Sequence, residues 1–328
     1  MNLKACINST TFNRKLSRLS SVVGILAFSC SLVVGSVPQT KAKTTVASAV
    51  KLKSFSTPEQ AAGALIYAAE KFDVPALEAM LGPDGKDIIH TGEPAREREL
   101  AIAFAAQARE KMNVSLDPKS SRRAILTVGN EDWPFPVPIV KQGSRWVFDA
   151  KSGRQELLNR RIGRNELDAI EICRGFVESQ HEYALTKHDG VNQYAQHIIS
   201  TPGKQDGLAW QNADGTWGGP VGENVARAIE RGYRSKTEPF HGYYFKVLKG
   251  QGPDAPLGEM NFVVEGVMIG GFALIAAPAQ YRVTGVKTFM VSYDGVVYQK
   301  DLGPNTLEIA RRIERFNPDK TWTPVAGQ

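Results

Sequence analysis

Cysteine is nearly absent from this chain, with three in 328 residues at Cys6, Cys30 and Cys173. So few thiols exclude a disulfide framework and any cysteine-built metal ribbon. Histidine is scarce too, at five. Acidic residues are missing altogether before Glu59. Long apolar runs are also lacking: the stretch from Val22 to Val37, broken only by Ser and Gly, is about 16 residues, under the roughly 20 of a spanning helix.

Lys4, Arg14, Lys15 and Arg18 precede that run, Pro38 follows it, and Thr40-Lys41-Ala42 supplies a small-x-small pattern. A basic start, a short apolar centre and small residues at a cleavage point read as a secretory signal over residues 1–42. Alternatives are a retained anchor and, because of Cys30, a lipoprotein. Residues 43–56 lack periodicity and read as a disordered leader. Residues 1–42 hold five of the 40 Lys and Arg and none of the 34 Asp and Glu. The remainder therefore carries 35 basic against 34 acidic residues, a net of +1 rather than +6. That balance gives no reason to expect nucleic acid as a partner. After cleavage no transmembrane span is expected, and Cys173 is the one remaining thiol. It lies at helical spacing among Leu167, Ile170, Phe176 and Val177, which predicts a buried, inert side chain.

Thr57-Pro58-Glu59-Gln60 is a helix start, with Thr as cap, Pro at the first position and Gln at the third. Phe72-Asp73 breaks that helix, a second runs from Val74 to Leu81, and a third covers residues 94–111. Strands are expected over 123–129, 137–141 and 145–149, with Gly143 in the last connection. Asn165 can cap a helix reaching about Lys187, with Leu167, Ile170, Cys173, Val177 and Tyr183 along its apolar stripe. Residues 188–240 look loop-rich, with a helix at 223–231. Strands follow at 243–248, 261–264 and 272–277. Asp294-Gly295 then joins a hairpin of 288–293 and 296–302. The expected fold class is α+β: N-terminal helices packed on a small antiparallel sheet over residues 57–160, then a long helix and a second antiparallel sheet over 161–325.

Common chemistries find no foothold. Gly250, Gly252 and Ala255 imitate a dinucleotide fingerprint, but Pro253 and Pro256 forbid the helix it needs. His181 and Glu182 lack a second histidine at zincin spacing, so no metal is expected, and no cofactor either. No serine sits in a nucleophile-elbow context, and no catalytic residue can be named. Two clusters remain as candidate binding residues. Arg160, Arg161 and Arg164 suit an anion, or acidic groups at a junction between units. Trp210, Trp217, His241 and Tyr243 could supply an aromatic contact surface, or plug a small core.

Six stretches carry a family resemblance: EDWPFPVP (131–138), NRRIGRNEL (159–167), STPGKQDGL (200–208), HGYYFKVL (241–248), GGFALIAAPAQY (270–281) and YDGVVYQKDLG (293–303). On these the chain is identified as a member of a bacterial secreted family, the domain of unknown function family numbered 2950, over about residues 55–325. The resemblance implies a periplasmic or envelope protein of a Gram-negative bacterium and carries over no activity. The second half also resembles pilin-like domains, although its helix at 166–187 is internal and amphipathic. The first resembles the cystatin-like cone of nuclear transport factor 2 relatives. The expectation is an exported, non-catalytic binding or scaffolding protein whose partner is an envelope protein or glycan. Alternatives are an envelope hydrolase using carboxylates of the 178–206 region, and a subunit of a pilus-like assembly.

Overall fold

The computed structural model describes residues 52–90, 94–222 and 239–326. The signal (1–42), most of the leader (43–56) and the helix expected at 223–231 lie outside these. The chain divides into two compact units, Met1–Glu156 and Leu157–Gln328. Each has its own apolar core, and the class is α+β.

In the first unit, helix α1 (Pro58–Lys71) begins as its sequence dictates: Thr57 accepts the Gln60 N–H on its hydroxyl at 3.2 Å. It ends where Phe72 turns left-handed (φ 51°), and Asp73 caps α2 (Val74–Leu81) through the Ala76 N–H. Short α3 (Lys86–Ile89) and longer α4 (Pro94–Glu110) follow. Strands β1 (Met112–Asp117), β2 (Ser120–Val128), β3 (Trp133–Pro134), β4 (Ile139–Gln142) and β5 (Arg145–Phe148) form an antiparallel sheet, ordered β1-β2-β4-β5 with β3 on β2. The sequence reading missed β1, whose residues are mostly exposed and so leave little apolar alternation. Ala61, Leu65, Met80, Leu126, Ile139 and Phe148 are among the buried side chains of this core.

Helix α5 runs unbroken from Ala150 to Ala184, 35 residues. This corrects the start expected at Asn165. Asp149 caps the helix instead, accepting the Ser152 N–H at 3.0 Å and its hydroxyl at 2.7 Å. Asn165 lies mid-helix and donates to the Thr284 carbonyl at 2.8 Å. Its neighbour Glu166 accepts the N–H groups of Val286 and Lys287 at 2.9 and 3.0 Å. The polar residues that looked like a helix start are therefore the grip of α5 on the segment 284–287.

Beyond α5 the second unit is mostly strand. β6 (Lys187–His188) and β7 (Val191–Asn192) pair with each other. β8 (His197–Ile199), β9 (Gly207–Gln211) and β10 (Trp217–Gly218) make a three-stranded sheet ordered β10-β9-β8. β11 (Tyr243–Leu248) is followed by two small pairs: β12 (Gly250–Gln251) with β13 (Met260–Asn261), and β14 (Val263–Val264) with β15 (Val267–Met268). β16 (Ala273–Pro278), β17 (Lys287–Ser292), β18 (Tyr298–Asp301) and β19 (Thr323–Pro324) complete a five-stranded sheet ordered β11-β16-β17-β18-β19. Helix α6 (Thr306–Arg312) was not foreseen. The hairpin expected at Asp294-Gly295 exists, but pairing starts only at Met290 opposite Tyr298, so the connection is longer than a two-residue turn. Cys173 is wholly buried in this core beside α5 residues Ala169, Phe176 and Val177.

Candidate functional site

The expected binding residues fall into different settings. Tyr243 is 0% exposed and donates its hydroxyl to the Lys287 carbonyl at 2.9 Å. It is a core residue, which corrects its place on a contact surface. His241 lies above it in a tight turn: Phe240 and Tyr243 exchange both backbone hydrogen bonds, and His241 and Gly242 have φ of 47° and 76°. Positive φ at both central residues is the hairpin geometry that glycine favours. Gly242 is also pressed on α5, where an added Cβ would meet Asn165 Nδ2 at 2.5 Å. This turn holds His241 Nδ1 at 2.7 Å from Asp168 on α5. Arg164 stands one helical turn before Asp168, and Arg160 and Arg161 precede it on the same helix.

Trp210 and Trp217 sit together on the three-stranded sheet, where Gln211 pairs with Trp217 and Trp210 with Gly218. Both pack partly buried against the core of the second unit. The Trp210 ring lies over Gly218 and Gly219, where added Cβ atoms would meet it at 2.6 and 2.9 Å. Trp217 lines a cleft of about 100 Å³ together with residues 199–204 and Gln211. Its indole N–H is buried and has no acceptor among the described residues.

The opposite wall comes from an unusual connection. β8 and β9 run parallel, His197 beside Gly207 and Ile199 beside Ala209, yet only residues 200–206 join them. Parallel neighbours ordinarily need a crossover of a dozen residues or more. The short link closes because Pro202 and Gly203 (φ 79°) turn the chain, with Lys204 N–H returning to the Thr201 carbonyl at 2.9 Å. Gly207 permits the close approach, since a Cβ there would meet the Ser200 nitrogen at 2.6 Å.

Side chains fix the loop at both ends. Asp206 accepts the Thr201 backbone N–H at 2.7 Å and its hydroxyl at 2.8 Å. Burial pushes the Asp206 pKa up, but these two Thr201 bonds, helped by His197, hold it below the ordinary carboxylate value. Ser200, nearly buried, accepts the Gly207 N–H at 2.9 Å. From α5, Tyr183 donates to the Gln205 carbonyl at 2.5 Å, and burial, then Asp206 and Asp189, raise its pKa to about 12. Gln180, 0% exposed, both donates to and accepts from the Ala195 backbone at 2.8 Å, bonding α5 to the strand entry. Lys204 is left exposed at the tip, with no ion pair among the described residues.

A second hollow of about 350 Å³ is lined by Met290, Trp322 and the segment 313–317. Its charged residues already have protein partners. Arg315 donates to the Gln251 and Met260 carbonyls and to Asn261, and Glu314 pairs with Lys246 at 3.0 Å. Within the 178–206 region, Glu178 and Glu182 are exposed on α5. Among the described residues no three His, Cys, Asp or Glu side chains converge to hold a metal, and no helix is long and apolar enough to cross a membrane.

Fold and site together define a two-unit α+β protein whose second unit carries a small cleft walled by residues 199–204 and Trp217. The chain belongs to the family described as a protein of unknown function (DUF2950), which matches residues 52–325. No curated protein and no solved structure gives a significant match, so the pilin-like and cystatin-like likenesses gain no support.

Proposed function

We propose that the chain is exported to the cell envelope and binds a component there without chemistry of its own. For export speak the basic start, the short apolar run to Val37 and the small residues before position 43. For binding speaks one observation above the rest: a cleft walled by Ser200, Lys204 and Trp217 on a loop pinned at both ends. Pinning a loop lowers the ordering cost of binding, which favours recognition. The alternative of a hydrolase working through carboxylates of the 178–206 region would need two of them facing one substrate bond. Glu314 is the one carboxylate among the residues lining the two clefts, and Lys246 already holds it.

Two measurements test this reading. The chain recovered from envelope fractions should begin near residue 43, and one still beginning at Met1 would refute cleavage. Protein starting at residue 43, immobilised and exposed to envelope extract, should retain a component that Lys204→Gln/Trp217→Phe protein releases. Equal retention by both, or by neither, would remove the cleft from the binding role and bring hydrolase assays forward.

A further inference from the structure

Among the side chains lining the 199–204 cleft, donors outnumber the acceptors left open, of which the Gln211 amide oxygen is one. Ser200 Oγ accepts the Gly207 N–H, so its own hydroxyl hydrogen is left to donate. Lys204 carries three N–H donors and no acceptor, and the Trp217 indole is a donor only. The Thr201 hydroxyl is already donated to Asp206, and both Asp206 oxygens are occupied by Thr201. Gln211 turns its amide N–H toward the Gly215 carbonyl at 3.3 Å. No carboxylate lines the cleft. The Trp217 indole N–H, buried and without an acceptor among the described residues, is an unmet donor.

Resting on the binding reading above, we propose that this cleft takes a carboxylate: the C-terminal acid group of an envelope peptide. An ionised carboxylate is acceptor-only and so suits the donor groups carried by the lining residues Ser200, Lys204 and Trp217. Its single negative charge meets the one ammonium at the rim. The cleft, at about 100 Å³, has room for an acid group.

Trp217 offers its own reporter. The chain has five tryptophans, and Trp217→Phe identifies which indole N–H resonance of nitrogen-15-labelled protein belongs to position 217. The full chain beginning at residue 43 is titrated with N-acetyl-alanyl-alanine bearing a free C-terminal carboxylate, with the same peptide as its C-terminal amide, and with inorganic phosphate. The free acid should move the Trp217 resonance downfield and saturate. The amide should leave it in place, and phosphate should act more weakly than the acid. Lys204→Gln, at an exposed site that leaves the fold alone, should weaken the acid about tenfold or more, and Ser200→Ala should do likewise. Equal shifts with acid and amide would overturn the carboxylate preference while the cleft remained a binding site. A larger response to phosphate would overturn it in favour of another anion. No shift at all would remove the site, and capture from extract that survives Lys204→Gln would then place binding elsewhere on the protein.

Discussion

Both carboxylate oxygens of Asp206 are taken by Thr201, and that pair closes the seven-residue link between two parallel strands. Charged hydrogen bonds of this kind are worth about 1.5–3 kcal/mol together with the order they impose. Asp206→Asn removes the charge and gives up one acceptor, so unfolding in urea at pH 7 should show a loss of about 1–3 kcal/mol. The pH dependence has a definite sign. Asp206 is held below its ordinary 3.8 in the folded chain, so its contribution is present above that value and lost as pH falls below it. The gap between native and Asp206→Asn protein should shrink when the same titration is run near pH 3. A gap that stays constant would mean that shape, not charge, holds the loop.

Of the three glycines in helix α5, Gly153 and Gly163 ask for opposite outcomes. At Gly163 an added Cβ would touch nothing within 4 Å, whereas at Gly153 it would come within 2.6 Å of the buried Val137 side chain. Replacing glycine inside a helix with alanine gains about 0.5–1 kcal/mol where space allows. Overpacking a core contact costs about 1–3 kcal/mol. Gly163→Ala should therefore raise the melting temperature and Gly153→Ala lower it, as thermal unfolding by circular dichroism would read. These same residues show what a sequence can and cannot reveal. The cap at Thr57, the stop at Gly82 and strand β11 were legible, because capping and turn chemistry act within a few residues. The true start of α5 was hidden by Gly163 and by Asn165, whose amide serves a partner 119 residues away. The cleft was half legible. Trp217 stood out as an aromatic residue in a loop-rich stretch, but the short parallel link that carries Lys204 departs from the usual crossover and leaves no local pattern to read. Tyr243 misled because an aromatic in a motif looks the same whether it faces solvent or the core.

At the scale of the molecule, the two cores should respond differently to alkali. Burial, opposed slightly by Arg174, pushes the Cys173 thiol up to about 12, and burial first of all raises Tyr183 to about 12 and Tyr243 higher. All three belong to Leu157–Gln328. Each is neutral when folded, so its stabilisation is complete below the unfolded pKa, 9.0 for the thiol and 10.0 for the phenols. It drains away as pH climbs from there toward about 12. Hydrogen exchange, corrected for intrinsic rates, should lose protection in the strands of 243–301 before those of 112–148. The reverse order would contradict the assignment of these groups to the stabilising side. The burial of Cys173 has a practical side as well. In protein that begins at residue 43 it is the only sulfhydryl, and it is sealed from solvent. A cysteine introduced at exposed Ala213, in the turn between β9 and β10, would then be the only site a spin label or fluorophore could reach, so the neighbourhood of the cleft can be watched by spectroscopy without first stripping the native thiol.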